Sequence, residues 1–190
     1  MVFYQLDWKV NQRALGIKLA VIGKEPNLRV PWLMGRRFEK EVPQPIALSL
    51  SPRGGPDMPD VFLTGIPLFS DRLLEAMRKA GADNFDVYST ELADPAKGTI
   101  VRHYKAVNII GKIEAADLKK STFDPRSEPN LMEFDVLVID ERKVRGANLF
   151  RLAENPLRIV ISERIQRALV TMPLVGVLLV PLDGREEEGA

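Results

Sequence analysis

Cysteine is missing from this chain and histidine nearly so, His103 being the single imidazole in 190 residues. Without thiols there is no cysteine nucleophile, no zinc–thiolate centre and no disulfide framework, and the usage fits a reducing compartment. The lone His103 has no G-x-S-x-G elbow to serve and no H-E-x-x-H partner, so it is expected to be a strand residue near solvent. Charge of either sign is not in excess. Lys and Arg total 27 against 26 Asp and Glu, a net charge of +1. Non-specific nucleic-acid binders displace counterions with a basic surplus, so nucleic acid is not an expected partner. Long hydrophobic runs are absent too: the longest uncharged apolar stretch, "ALVTMPLVGVLLVPL" at 168–182, is broken by two prolines and a glycine and is too short to span a bilayer. The opening "MVFYQLDWKV" carries no basic leader before an apolar stretch, which makes the cytoplasm the expected location.

What is present is a balanced composition, 45% hydrophobic and 28% charged, enough to build a core without staples. Two segments resemble each other. In "FSDRLLEAMRKAG" (69–81) and "ISERIQRALVTMP" (161–173), Ser70 aligns with Ser162, Asp71 with Glu163, Arg72 with Arg164, Leu73 with Ile165, Ala76 with Ala168 and Met77 with Leu169. Each serine precedes a run at helical spacing, with an acid where the helix dipole is positive, so both are expected to be N-caps rather than nucleophiles. Gly81 and Pro173 supply stop signals.

Strands are expected over 2–10, 46–51, a short piece at 61–65, "NFDVYSTEL" at 84–92, a long run from 99 to 110 with Gly111 as a bulge, "FDVLVID" (134–140) as a central strand, "ANLFRLAE", "LRIVIS" and a buried "GVLLVPL". One helical turn is expected within 114–120, and loops at 52–60 and 121–130. Residues 11–45, punctuated by four prolines, give no clear element. The expected fold class is α+β: a mostly antiparallel mixed sheet with a few short helices, containing two related strand–helix–strand units. Residues 1–182 would form one domain, with a division into lobes near 1–100 and 101–182 left open, followed by an acidic, unstructured tail at 183–190.

No cofactor or metal site is expected. "SPRGGPD" matches neither phosphate-binding glycine pattern, and its prolines remove backbone donors. Carboxylates offer the remaining chemistry. Glu114 and Asp117 could share a helix face, whereas Asp140 and Glu141, adjacent at a strand end, point apart. "PWLMGRRFEK" (31–40) is the candidate surface for a protein partner, with Trp32, Arg36, Arg37 and Phe38 as contacts, since tryptophan and arginine desolvate large areas at modest entropic cost. The competing reading places Trp32 and Phe38 in the core and leaves the two arginines solvated.

"YKAVNIIGKIEAADLKKS", then "FDVLVIDERKVRGANLFRLAENPLRIVISERIQRAL", then "GVLLVPL" together resemble, in order and spacing over 103–182, the immunity protein 11 family of bacterial polymorphic toxin systems. The earlier "DVFLTGIPLFSDRLLEAM" is similar to that family's N-terminal part. The resemblance implies a small, non-catalytic intracellular protein that binds and neutralises a cognate toxin encoded next door. It carries no catalytic motif to transfer. A small carboxylate-dependent enzyme, or an oligomeric interaction module without a toxin, are the alternatives.

Overall fold

A computed structural model describes residues 2–8, 20–22, 31–51 and 55–183. Expectations for Lys9 and Val10, for the Pro52–Gly54 part of the loop and for 184–190 of the tail lie outside the described residues. In chain order the elements are β1 (Phe3–Trp8), β2 (Ala20–Ile22), β3 (Ile46–Leu50), β4 (Val61–Leu63), β5 (Pro67–Ser70), α1 (Asp71–Lys79), β6 (Phe85–Asp94), β7 (Thr99–Val101), β8 (Tyr104–Ile109), β9 (Lys112–Ile113), β10 (Thr122–Phe123), β11 (Phe134–Val136), α2 (Glu141–Val144), β12 (Leu149–Leu152), β13 (Ile159–Ser162), α3 (Glu163–Val170) and β14 (Val177–Pro181). Among the described residues, strands in mixed sheets with three short helices make this an α+β fold.

Two larger sheets form. One has the order β14-β1-β13-β12-β9; the other runs β2-β3-β6-β8-β5-β4, with β7 added to β6. Each of the two longer helices joins strands that flank a third, antiparallel strand: α1 links β5 and β6 across β8, and α3 links β13 and β14 across β1. Period-two alternation gives both sheets two buried faces. On β12, Leu149 points to a core shared with both helices and Phe150 to the opposite one; on β13, Ile159 and Ile161 point one way and Val160 the other. The shared core takes Leu73, Leu74 and Met77 from α1 and Ile165 and Leu169 from α3, with Leu6, Phe69, Val107 and Ile161 from the two sheets. A second core lies under the outer face of the larger sheet, and a third under the outer face of the smaller.

The caps differ in a way the aligned sequences do not show. Ser70 accepts a hydrogen bond from the Leu73 N–H, as an N-cap should. Ser162 makes no side-chain cap bond; its hydroxyl donates to Asn148 Oδ1 at 2.8 Å instead. At the other end of α1, Gly81 (φ 92°) closes a Schellman motif: the Ala82 N–H reaches Met77 O and the Gly81 N–H reaches Arg78 O.

Several expected elements are corrected. The 99–110 run is two strands. Both pair with β6, but the register slips by one residue between Leu92↔Val101 and Ser89↔Lys105, so Arg102 and His103 form a bulge and the backbone carbonyl of His103 accepts from Asp71 N at the start of α1. Residues 114–120 begin with an isolated bridge (Ala116↔Ile139), and the expected single turn follows it, with the Lys120 and Ser121 N–H groups both donating to Asp117 O. "FDVLVID" is not central. Its first three residues pair only with β10, itself inside the expected 121–130 loop, and its apolar side chains Phe134 and Leu137 cover the outer face of the smaller sheet. Among the described residues β14 pairs with β1 alone, so "GVLLVPL" is an edge strand, and its Leu178 and Val180 are exposed. The short helix α2, capped by Asp140, has too few residues to show a helical period.

Asp60, only 2% exposed, ties three of these parts together. Its carboxylate accepts from the Ser70 hydroxyl, from Nε and Nη2 of Arg72, and from the Val175 N–H. Its backbone N–H donates to Val175 O and its carbonyl accepts from Ser70 N. The hydrogen bond to Asp60 raises the Arg72 pKa. Asp60→Ala would strand the Ser70 hydroxyl and the Val175 N–H and leave Arg72, itself half exposed, without its partner. We expect a loss of about 3 kcal/mol in urea denaturation. A loss under about 1 kcal/mol would remove Asp60 from this role.

Candidate functional site

The 31–40 segment is a turn-rich strap over the outer face of the larger sheet. Its first turn closes through Met34 N to Pro31 O at 3.1 Å. Gly35 then takes φ 64°, where a Cβ would sit 2.6 Å from the Lys112 Cβ and 2.7 Å from the Lys112 N, so no other residue fits without displacing backbone. Two backbone carbonyls of the strap are anchored. Gly35 O accepts from Gly111 N at 2.7 Å, and Arg36 O accepts from Asn108 Nδ2 at 2.9 Å.

Trp32 is buried in the core beneath the larger sheet's outer face. Its ring meets Phe38 edge-on at 4.9 Å and Tyr88 at 5.7 Å, while Phe38 and Tyr88 stack at 5.5 Å. Burial raises the Tyr88 hydroxyl's pKa, with Asp86 adding to it and Arg37 opposing. Phe38 is half-buried, so the two aromatic residues serve as the strap's foundation rather than its outer surface. Leu33, Met34, Arg36 and Arg37 project from it. Arg37 Nη1 pairs with Asp86 at 2.6 Å and Arg36 Nη1 with Glu39 at 3.5 Å, both in solvent, where such pairs contribute about 1 kcal/mol or less. The result is an anchored knuckle that sets two guanidinium groups beside the exposed Leu33 and Met34. Its chemistry is that of contact: planar, multi-donor groups beside exposed aliphatic area.

The four carboxylates do not converge as one set. Glu114 and Asp140 line the same open groove of about 590 Å³, among Arg142, Lys143 and Arg145. Asp140 is gripped there by Nε and Nη2 of Arg142, and that hydrogen bonding pulls its pKa down to about 2, the opposite of what a general acid needs. Asp117 caps its own turn and pairs with Lys120. Glu141 lines a separate hollow beside Leu182. His103 is exposed at the bulge, its ring tilted against that of Tyr104 at 4.8 Å. Among the described residues no group of three or more His, Cys, Asp or Glu is placed to hold a metal ion, and no helix is long and apolar enough to cross a membrane.

Among the described residues, four charged ones that the sequence did not single out are buried: Asp60, Asp94, Arg151 and Glu154. Asp60 sits in a proline-rich loop and Arg151 in the middle of "LFRL", where a period-two pattern places it on an inward face; that alternation was the one available signal.

The profile of an immunity protein family (Imm11) matches residues 3–182, nearly the whole chain. The chain belongs to this family. Comparison with curated proteins gave no match. The family profile spans β1 through β14, so the strap, the charged groove and the buried charges all lie within the matched region.

Gly35→Ala is expected to cost at least about 1–3 kcal/mol through strain and backbone overlap, read as a lower denaturation midpoint. Arg36→Ala and Arg37→Ala should each stay within about 0.5 kcal/mol of the parent. Equal stability for all three variants would mean the strap is not held as described.

Proposed function

We propose that the chain neutralises a cognate toxin by stoichiometric binding and without catalysis. The single observation that supports this most is family membership over residues 3–182. The toxin would be the product of a neighbouring gene, delivered between competing bacteria, and the encounter would take place in the cytoplasm. Residues 1–182 would act as one domain, because both larger sheets contribute to the core around α1 and α3. The two strand–helix–strand segments read as related building units, given their aligned residues and their like connections across an intervening strand.

The contact surface would centre on the strap, with Arg36 and Arg37 touching the toxin and Trp32 and Phe38 holding them in place. Protection demands an interface of roughly 1,600 Å² and an affinity of nanomolar or better, about −12 kcal/mol. Co-expression should protect cells from the neighbouring toxin, and the two proteins should co-purify. Arg36→Ala with Arg37→Ala should weaken binding by more than about tenfold, each lost charge-assisted contact being worth about 1.5–3 kcal/mol. Failure of both protection and co-purification would sink the toxin reading, and an unchanged Kd in the double variant would move the interface elsewhere.

One observation favours the enzymatic alternative. Glu154, 7% exposed, lines a cavity of about 420 Å³ with Glu114, and its Oε2 has no hydrogen-bond partner among the described residues, although Oε1 accepts from Ala116 N at 2.8 Å. Two carboxylates on one cavity wall are the minimum for acid–base chemistry. Under the binding reading, Glu114→Gln with Glu154→Gln should still protect cells. Loss of protection with toxin binding intact would favour catalysis.

A further inference from the structure

Arg151 is 1% exposed, at the centre of β12. Alternation puts it on the same face as Leu149, towards the seam between the two larger sheets. Its Nη1 donates to Pro156 O at 2.7 Å, while Nε and Nη2 have no acceptor among the described residues. Burial alone pulls its pKa down to about 10. A buried N–H without an acceptor costs about 1–3 kcal/mol, more when charged, so an edge of two such donors is a costly feature to keep.

Among the described residues, three other arginines use the same Nε/Nη2 edge in one way. Arg72 grips Asp60 with it, Arg126 grips Asp124, and Arg142 grips Asp140, each carboxylate offering one oxygen to each nitrogen. That side-on match of fork to carboxylate is the strongest hydrogen-bonded pairing open to arginine.

Arg151 lines a cavity of about 340 Å³ at the seam, between β1, β12 and β13 on one side and Leu63, Thr64 and Pro67 on the other. Among the described residues the cavity walls carry a second, half-buried arginine and one acid. Arg158 donates to Gln5 Oε1 at 2.9 Å and to Phe134 O at 3.1 Å. The Asp7 carboxylate accepts from Gln5 Nε2 and from Trp8 N, both at 2.8 Å. Among the described residues two guanidinium groups stand against one carboxylate, an excess of one positive charge. Trp8, Leu33 and Leu157 supply apolar wall. We propose that this cavity binds a monocarboxylate with an apolar body, and that Arg151 turns to hold it side-on through Nε and Nη2, an edge otherwise closed off by its neighbours. A dianion such as phosphate is disfavoured, because Asp7 opposes the second charge and the apolar wall gives it no donors.

Two sources could supply that carboxylate: a small free acid, or an acidic side chain of a bound protein. The site itself stands independently of the toxin reading, and only the second source rests on it. Leu33 belongs both to the cavity wall and to the strap, so a protein seated on the strap would reach the cavity mouth.

The probes are sodium benzoate, inorganic phosphate and sodium chloride at matched ionic strength, added to the full chain. Benzoate should raise the melting temperature in a saturable manner and bind in calorimetry, and phosphate and chloride should not. Arg151→Met should weaken benzoate binding by about tenfold or more while leaving the protein folded, since it removes an unpaired buried charge rather than a paired one. Should that variant fail to fold, nitrogen-15 spectra of the parent decide: benzoate should shift an arginine Nε–H resonance that phosphate leaves in place. No benzoate binding by the parent, equal binding by Arg151→Met, or no such resonance shift would overturn the site. With the toxin-bound complex, competition between benzoate and toxin would identify a toxin side chain as the occupant, and undiminished benzoate binding to the complex would identify a free acid. Loss of toxin co-purification with benzoate binding intact would count against the toxin reading alone.

Discussion

A single buried carboxylate holds the assembly in register. Asp60 precedes β4, reaches the hydroxyl that caps α1, grips the second residue of that helix, and takes the Val175 N–H just ahead of β14. Its neighbours pin the same spot from below, with the Tyr104 hydroxyl donating to Pro59 O at 2.6 Å. Burial of that phenol raises its pKa strongly, which keeps it a donor throughout the accessible pH range. Charge at this point is tolerated because every side of the carboxylate is met by a donor. The helix start, the larger sheet and the edge of the smaller sheet therefore cannot shift independently.

The contrast between the two serine-headed helices shows how far sequence reading reaches. Composition and alternation identified α1, α3 and most strands, because apolar spacing reports directly on which face is buried. The same spacing could not say that Ser162 turns away from its helix to Asn148, since that depends on a residue brought close only by the fold. Nor could it rank strands by position. "FDVLVID" and "GVLLVPL" are as apolar as any central strand, yet one lines the outside of a sheet and the other forms an edge. Pairing partners, not propensity, decide between centre and edge. The bulge at Arg102–His103 is likewise a matter of register, which is written in two strands at once.

At the strap the sequence was informative about chemistry and less so about depth. The grouping of an aromatic pair with two arginines and a glycine is plain in "PWLMGRRFEK", but Trp32 could equally have faced outward. Tyr88 and Asp86 decide the matter. They lie two apart on β6, and so share one face, where one stacks the aromatic residues inward and the other holds Arg37 outward. Arg151 and Glu154 show the complementary limit: whether a buried charge has a partner depends on residues far away in the chain.

The strand order of the smaller sheet bears on how the chain comes together as it is synthesised. β1 lies between β13 and β14, paired Phe3↔Ser162 on one side and Tyr4↔Pro181 on the other, so its neighbours are made only after nearly everything else. The segments that build the larger sheet between Ala20 and Ile109 are complete long before then. Half of the molecule can thus condense on the ribosome while an apolar leading strand waits for partners, and closure of the second sheet becomes the late, slow event, set by the entropy of joining distant ends.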